Sequence, residues 1–179
     1  MNELQAWEAR GDIDLYYFDE TGFSQNSELP YAWSLIGHPV KLPAFSHSRR
    51  LNVLGFLSRQ GQLIHHSTTG KVTTDVVLEA FDRLLAEKPK DRFAVVVLDN
   101  ARIHHARKLQ QQRAQWRDRG VYLVFLPTYS PELNLIEALW RKVKYEWLPL
   151  DAYQSFSRLC DQVRQVLSGY GTKYRNIYV

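Results

Sequence analysis

The sequence contains little that could crosslink the chain or carry it into a membrane. Cys160 is the only cysteine, so no disulfide can form within the chain. No stretch approaches the roughly 18 consecutive apolar residues of a membrane helix, and the first residues lack the pattern of a secretory signal. We therefore expect neither a membrane span nor secretion, and we predict a cytoplasmic location.

Several familiar nucleotide-binding and catalytic motifs are also missing. The segment Gly70-Lys71-Val72-Thr73 lacks the upstream glycine of a phosphate-binding loop, and there is no nucleophile elbow and no dinucleotide-binding fingerprint. The adjacent histidines at 65–66 and 104–105 do not have the spacing of zinc ligands. The sequence therefore gives no support to an NTPase, a serine hydrolase or a zinc protein.

The composition is that of one globular domain with a modest excess of positive charge. The 179 residues suit a single domain over 1–179, in which 170–179 can form a flexible tail or an arm. Lys and Arg number 23 against 19 acidic residues, which gives a net charge of +4. Positive charge concentrates over 102–119, where it indicates either a solvated helix face or a surface for phosphates.

Apolar runs and alternating patterns predict five strands. The first strand alternates, which is typical of a strand with two different faces. The second and third are joined by Arg59-Gln60-Gly61, a hairpin signal. The fourth and fifth are unbroken apolar runs, typical of strands buried on both faces. The predicted strands are Ile13–Phe18, Leu51–Ser58, Gln62–Ser67, Phe93–Leu98 and Val121–Leu126, with a further short strand near Tyr31–Leu35.

Apolar residues at helical spacing predict four helices between and after these strands. Capping residues and glycines or prolines mark their ends. For the third helix two starts remain open, because either Ser130 or Asn134 can cap it. The predicted spans are Thr73 or Thr74 to Ala86, 102–119, Pro131 or Leu135 to Trp147, and a last helix that begins with a capping box of Asp151 and Gln154 and stops at Gly169.

The order of the elements predicts an α/β fold. The first three strands follow one another closely and can form an antiparallel meander. The fourth and fifth are each preceded by a helix, so they need crossover connections and join the sheet in parallel. We predict a mixed five-stranded sheet with helices on both faces.

Three carboxylates occupy informative places in this order. Asp19 ends the first strand, Asp99 directly follows the fourth, and Glu137 lies in the first turn of the third helix. The carboxyl ends of parallel strands tend to bind ligands, so these acids can converge if the first and fourth strands are neighbours. Three hard oxygen ligands suit Mg²⁺ or Mn²⁺ better than Zn²⁺. The alternative is that each acid caps a turn or a helix. Glu20 is expected to point away from this group, because side chains alternate along a strand.

Three segments that contain these acids resemble a known family. Together they resemble, in order, the three signature blocks of the DDE endonuclease domain in bacterial mariner-like insertion-sequence transposases. The similarity spans about Ile13 to Leu148. The segments are Tyr17-Phe18-Asp19-Glu20-Thr21-Gly22-Phe23, Leu98-Asp99-Asn100-Ala101-Arg102-Ile103-His104 and Leu126-Pro127-Thr128-Tyr129-Ser130-Pro131-Glu132-Leu133-Asn134-Leu135-Ile136-Glu137-Ala138-Leu139-Trp140.

The resemblance implies an RNase H-like fold of the retroviral-integrase type and Mg²⁺-dependent DNA cleavage and strand transfer, with Mn²⁺ as a substitute. It places the catalytic and metal-binding acids at Asp19, Asp99 and Glu137. It also implies a bacterial cytoplasmic protein associated with the nucleoid. Further signature positions that can support the acids or contact the DNA end are Asn100, His104 and Asn134.

The expected partners are DNA, comprising transposon ends and target, and a second copy of the chain in the active complex. Residues before Asp12 are too few for a helix-turn-helix module, so a separately encoded subunit of that kind is a further candidate. Two other functions remain open: a structure-selective nuclease that does not join strands, and a domesticated DNA-binding module without catalysis. Basic residues placed to contact DNA are Arg49, Arg50, Arg102, Arg107, Lys108, Lys142 and Lys144.

Overall fold

The computed structural model describes residues 1–27, 33–127 and 130–175. In these residues five strands form one sheet, and three of the strands extend beyond their predicted bounds at one end. The first strand continues to Ser24, because it keeps pairing with the second strand beyond the point where the fourth ends. The strands are β1 (Ile13–Ser24), β2 (Arg50–Ser58), β3 (Leu63–Thr68), β4 (Phe93–Leu98) and β5 (Val121–Phe125).

Five α-helices pack around the sheet in the described part of the chain, and short 3₁₀ and π-helical turns lie between some of them. The helices are α1 (Asn2–Ala9), α2 (Thr74–Glu87), α3 (Arg107–Asp118), α4 (Leu135–Lys142) and α5 (Phe156–Ser168). Three 3₁₀ turns cover Arg102–His105, Pro131–Leu133 and Leu150–Gln154, and α4 continues into a π-helical turn over Val143–Trp147. None of the helices in the described ranges combines the length and the apolar character that a membrane crossing requires.

The strand order in the sheet is β3-β2-β1-β4-β5. The pairs β3–β2 and β2–β1 are antiparallel, whereas β1–β4 and β4–β5 are parallel. The predicted antiparallel meander with two added parallel strands is therefore confirmed. Because β1 is the central strand and β4 is its parallel neighbour, the end of β4 lies beside the middle of β1.

Helices cover both faces of the sheet, as predicted. On one face, α2 and α3 pack through residues such as Phe81 and Trp116, whose rings stack with centroids 4.2 Å apart. On the other face, α4 and α5 pack through Ile136, Trp140 and Leu159, which are almost fully buried. Alternate residues of β1 enter the two cores, so each strand position determines which helix layer its side chain meets.

Two predicted helices begin at other residues than expected. The basic segment 102–119 is interrupted at Ala106, whose extended backbone separates the 3₁₀ turn from α3. The last helix does not begin at Asp151 and Gln154, so the predicted capping box is wrong. Instead Ser155 has an extended backbone, and its hydroxyl accepts a hydrogen bond from the amide of Arg158 at 3.2 Å. A hydroxyl at this position satisfies an amide that the first turn leaves free.

The remaining connections also differ in part from expectation. Of the predicted short strand near Tyr31–Leu35, residues 31 and 32 lie outside the described residues, and 33–35 have no regular structure. For the third helix the later of the two starts is confirmed, with Asn134 as its N-cap residue. Residues 170–175 form a turn in which Tyr174 packs on Trp147, with ring centroids 5.3 Å apart. Residues 176–179 lie outside the described part.

Candidate metal centre

Asp19 lies in the middle of β1, at the point where this strand loses its parallel neighbour. The last β1–β4 pair is Tyr17 with Val97, and Asp19 is paired only with Gly55 of β2. Its side chain shares the sheet face of Leu15 and Tyr17, which is the face that α4 covers. The carboxylate therefore stands at the open edge left by the end of β4, beneath the start of α4.

Asp99 is the first residue after β4, and its carboxylate is held locally. Its Oδ1 accepts a hydrogen bond from the amide of Ala101 at 3.0 Å, which is the turn-capping arrangement that the alternative reading of this acid predicts. The same oxygen lies 3.3 Å from Nε2 of His104. The side chain of Asp99 is about half exposed (54%), so this acid also remains accessible to a ligand.

Glu137 lies in the first turn of α4, and the preceding residues fix that turn to β1. Asn134 is buried, and its Nδ2 donates a hydrogen bond to the carbonyl oxygen of Phe18 at 3.0 Å. Phe18 directly precedes Asp19. One hydrogen bond therefore links the N-terminus of α4 to the strand position beside the first acid.

The three acids influence one another through space. Burial, and then the nearby negative charges of Glu137 and Asp99, raise the pKa of Asp19 to about 7. Burial and the charge of Asp99 also raise the pKa of the largely exposed Glu137. Each of the three acids thus lies within electrostatic reach of at least one other. This end of the sheet collects negative charge that a cation would compensate.

The acids do not form a ready-made cage. Within residues 1–27, 33–127 and 130–175, no three histidine, cysteine, aspartate or glutamate side chains stand close enough together to hold a metal ion. Their oxygens are nevertheless the donors that Mg²⁺ and Mn²⁺ prefer, and Mg²⁺ usually takes only one or two protein carboxylates and keeps several waters. The donor set and the accumulated negative charge therefore fit a hard divalent cation.

Glu20 belongs to this acidic group, although its position in the strand places it on the other sheet face. Burial, and then the charges of Asp19 and Asp99, raise the pKa of Glu20 to about 8. Its Oε1 is buried without a hydrogen-bond partner among the described residues and lies 3.5 Å from Nε2 of His104. The alternation rule correctly predicts its direction, but at the open edge of β1 both faces lie within reach of Asp99.

Of the supporting positions Asn100, His104 and Asn134, the first two lie next to Asp99. His104 is almost completely buried (2% exposed) in contact with Phe18, and burial lowers the pKa of its imidazole, so the ring is neutral at pH 7. Asn100 donates from Nδ2 to the carbonyl oxygen of Leu126, and its Oδ1 lies 3.3 Å from Nε2 of His105. Asn100 thereby ties the end of β4 to the end of β5, whereas Asn134 ties α4 to β1.

The basic residues expected to contact DNA divide into two groups. Some are engaged within the chain: Lys108 pairs with Asp75, Lys142 with Glu146 at 2.8 Å, and the guanidinium of Arg49 lies over the ring of Phe156 at 4.1 Å. The others have different surroundings. Lys144 lowers the pKa of Asp19, Arg50 crosses Gly22 of β1, and Arg102 and Arg107 are exposed after Asp99.

The sequence motifs do not indicate one residue that shapes the site. Gly55 of β2 is paired with Asp19, and a Cβ atom built on it would lie 2.7 Å from the Trp140 side chain. The available signal is a glycine inside an apolar strand, which often marks a close approach of another segment.

Comparison with known proteins relates this chain to a family. The family model described as "DDE superfamily endonuclease" matches residues 14–160. The chain is 23% identical over 145 residues to the insertion element IS630 uncharacterized 39 kDa protein of Shigella sonnei, which covers 75% of this chain and 38% of that protein. The chain therefore spans well under half of that relative.

Solved structures share the fold. The Mos1 transposase paired-end complex with left transposon end has a TM-score of 0.60 at 13% identity, covering 93% of this chain and 52% of that one. The catalytic domain of Mos1 mariner transposase has a TM-score of 0.57 at 12% identity, covering 93% and 76%. A chain from the structure of the simian T-cell lymphotropic virus intasome in complex with PP2A regulatory subunit B56 gamma has a TM-score of 0.55 at 12% identity, covering 92% and 50%. The predicted RNase H-like architecture of transposase and integrase catalytic cores is thus confirmed.

Proposed function

Since this chain belongs to the DDE superfamily endonuclease family, whose model covers most of it, we propose that it catalyses metal-dependent DNA cleavage and strand transfer through Asp19, Asp99 and Glu137. The observation that carries the proposal is that these acids, which come from β1, the end of β4 and the start of α4, lie within electrostatic reach of one another. The charges of Glu137 and Asp99 raise the pKa of Asp19, and the charge of Asp99 raises the pKa of Glu137. DNA as the partner is also consistent with the Mos1 complexes, which contain transposon ends.

Asp19, Asp99 and Glu137 are the residues that would hold divalent cations, Mg²⁺ or Mn²⁺. A pair of such ions would supply the activation of a water or a DNA 3′-hydroxyl and the stabilisation of the leaving oxygen in phosphoryl transfer. No covalent nucleophile on the protein is then required. Mos1 complexes with Mn and with Mg have been determined, which supports the same metals here.

The surrounding residues hold the acids in place. The amide of Ala101 donates a hydrogen bond to Oδ1 of Asp99. His104 beside it is neutral at pH 7, so it does not neutralise the carboxylate that a cation requires. Asn134 holds the start of α4 against β1. Lys144 counteracts the rise in the pKa of Asp19.

The wider surface supports binding of nucleic acid beside the acids. Arg102 and Arg107 are exposed within one short segment that leaves Asp99. Phosphate contacts by such residues supply most of the sequence-independent affinity for DNA. Two DNA ends would be brought together by two copies of the chain, and recognition of their sequence would come from a separate helix-turn-helix region or subunit.

Nicking of supercoiled plasmid DNA in Mn²⁺ or Mg²⁺ tests the proposal, with Asp99→Asn as the variant and Asp91→Asn as its matched control. Asp91 is an exposed acid before β4, whereas Asp99 follows the same strand. We expect Asp99→Asn to abolish nicking and Asp91→Asn to nick like the wild type. Wild-type nicking by Asp99→Asn would end the assignment.

A second assay separates strand transfer from simple hydrolysis. Oligonucleotides with a free 3′-hydroxyl are incubated with plasmid, and joined products are measured. Joined products support a transposase, whereas nicked plasmid without joining identifies the structure-selective nuclease. A protein that binds DNA but neither cleaves it nor binds Mn²⁺ is the non-catalytic module.

A further inference from the structure

Gly55 lies where α4 approaches the sheet most closely. It is paired with Asp19 across the antiparallel β1–β2 ladder, and paired residues in such a ladder project from the same sheet face. A Cβ atom on Gly55 would stand 2.7 and 2.8 Å from two atoms of the Trp140 ring and 3.0 Å from Cδ1 of Ile136. Hydrogen alone fits at this position.

The groups that fill this space cannot move aside easily. Trp140 is 4% exposed and Ile136 is fully buried, and both belong to the core between α4 and the sheet. Side chains in such a core are closely packed, so a displaced ring must displace its neighbours. A methyl group at position 55 would therefore push α4 outward rather than rotate a free side chain.

Movement of α4 would move Glu137. This acid directly follows Ile136 and precedes Trp140 by three residues, so it lies within the turn that rests on Gly55. The start of the helix is held to β1 by the hydrogen bond from Asn134 to Phe18. With that end held, an obstacle beneath Ile136 and Trp140 would tilt α4 and carry Glu137 away from Asp19.

We propose that Gly55 is a positioning residue that sets the distance of Glu137 from Asp19 by allowing α4 to contact β2 directly. This inference rests on the proposed function, because it concerns the acids that would hold the cation. Gly55 itself touches neither cation nor DNA. A glycine weakens the interior of a strand, and the close contact with Trp140 gives a reason for its presence in β2.

The test compares Gly55→Ala with Gly70→Ala. A Cβ on Gly70 would meet one atom at an ordinary contact distance of 3.5 Å, and its φ is not positive, so Gly70→Ala controls for loss of a glycine. We expect Gly55→Ala to bind Mn²⁺ about tenfold more weakly by titration, since displaced supporting groups cost 10- to 100-fold in metal affinity. Plasmid nicking should fall by about 100-fold, the effect of a misplacement of roughly 1 Å.

A compensating change distinguishes positioning from general damage. Gly55→Ala combined with Trp140→Phe removes the outer ring atoms that the new methyl group would meet, so we expect Mn²⁺ affinity within about threefold of the Trp140→Phe single variant. If Gly55→Ala alone does not fold, the Mn²⁺ affinity of the double variant is still compared with that of Trp140→Phe.

A folded Gly55→Ala variant with wild-type Mn²⁺ affinity would overturn the inference. A folded double variant whose Mn²⁺ affinity stays more than about threefold below that of Trp140→Phe would overturn it as well. Failure of the proposed function has a different signature. In that case Asp99→Asn would also nick DNA and bind Mn²⁺ like the wild type.

Discussion

Replacement of Asp19 by asparagine should stabilise the metal-free protein at alkaline pH. In the folded chain, burial and the charges of Glu137 and Asp99 raise the pKa of Asp19 from 3.8 to about 7. Between about pH 4 and pH 7, the folded state therefore holds a proton on Asp19 that the unfolded state has lost. Stability decreases as pH rises through this window, and the penalty is complete above the folded pKa.

The pKa difference sets the size of this effect. At 1.36 kcal/mol for each pKa unit, the rise corresponds to at most about 4 kcal/mol. Asp19 keeps some contact with water, so we expect about 2 kcal/mol at pH 8.5. For a chain of this size that is a rise in Tm of about 4–8 °C. At pH 5 the gain should be less than half as large, because the folded carboxyl is then protonated.

Thermal unfolding by circular dichroism in EDTA, at pH 5 and pH 8.5, measures the gain. The pKa values of His65 and His104 are lowered by burial, so their contribution to stability rises as the pH increases towards about 6.5, the unfolded value, and is constant above it. This contribution is common to both proteins, so the Tm of Asp19→Asn minus that of the wild type reports the Asp19 charge together with its effect on the pKa of Glu20. A difference that does not grow between pH 5 and pH 8.5 would refute the reasoning.

Two further variants test the DNA surface and the support of α4. Replacing both Arg102 and Arg107 by alanine should weaken DNA binding equally for unrelated sequences and lower the slope of log K against log salt by about 2, if each contacts one phosphate; an unchanged slope in fluorescence anisotropy would exclude both from the interface. Asn134→Ala removes the hydrogen bond to the Phe18 carbonyl and should cost about 1–2 kcal/mol of unfolding free energy in urea. A variant with wild-type stability would show that this bond does not hold α4.

The sheet was predictable because its signals are local. Unbroken apolar runs identify β4 and β5 as strands buried on both faces, and the intervening helices require parallel crossovers. The extension of β1 to Ser24 was not predictable from its own pattern, because it depends on pairing with β2 across a long connection. Likewise Ser155, rather than Asp151, begins α5, because local backbone geometry selects among neighbouring candidate caps.

The site residues that could be predicted are likewise those with a local signal in the sequence. Asp19, Asp99 and Glu137 could be selected because each stands at a recognisable position in an element and within a family signature. The alternation of side chains predicts the direction of Glu20, but it takes no account of the open edge of β1 beside Asp99. The role of Gly55 depends on a contact with α4, more than 80 residues away in sequence, and no local pattern specifies that contact.

The central claim is that acids distant in sequence share divalent cations. Titration of Mn²⁺ at pH 8.5, followed by electron paramagnetic resonance of the free ion, tests it on the wild type and on Asp19→Asn, Asp99→Asn and Glu137→Gln. We expect saturable binding by the wild type and clearly weaker binding by each variant, with the folded state retained. Equal binding by the wild type and all three variants would contradict the claim.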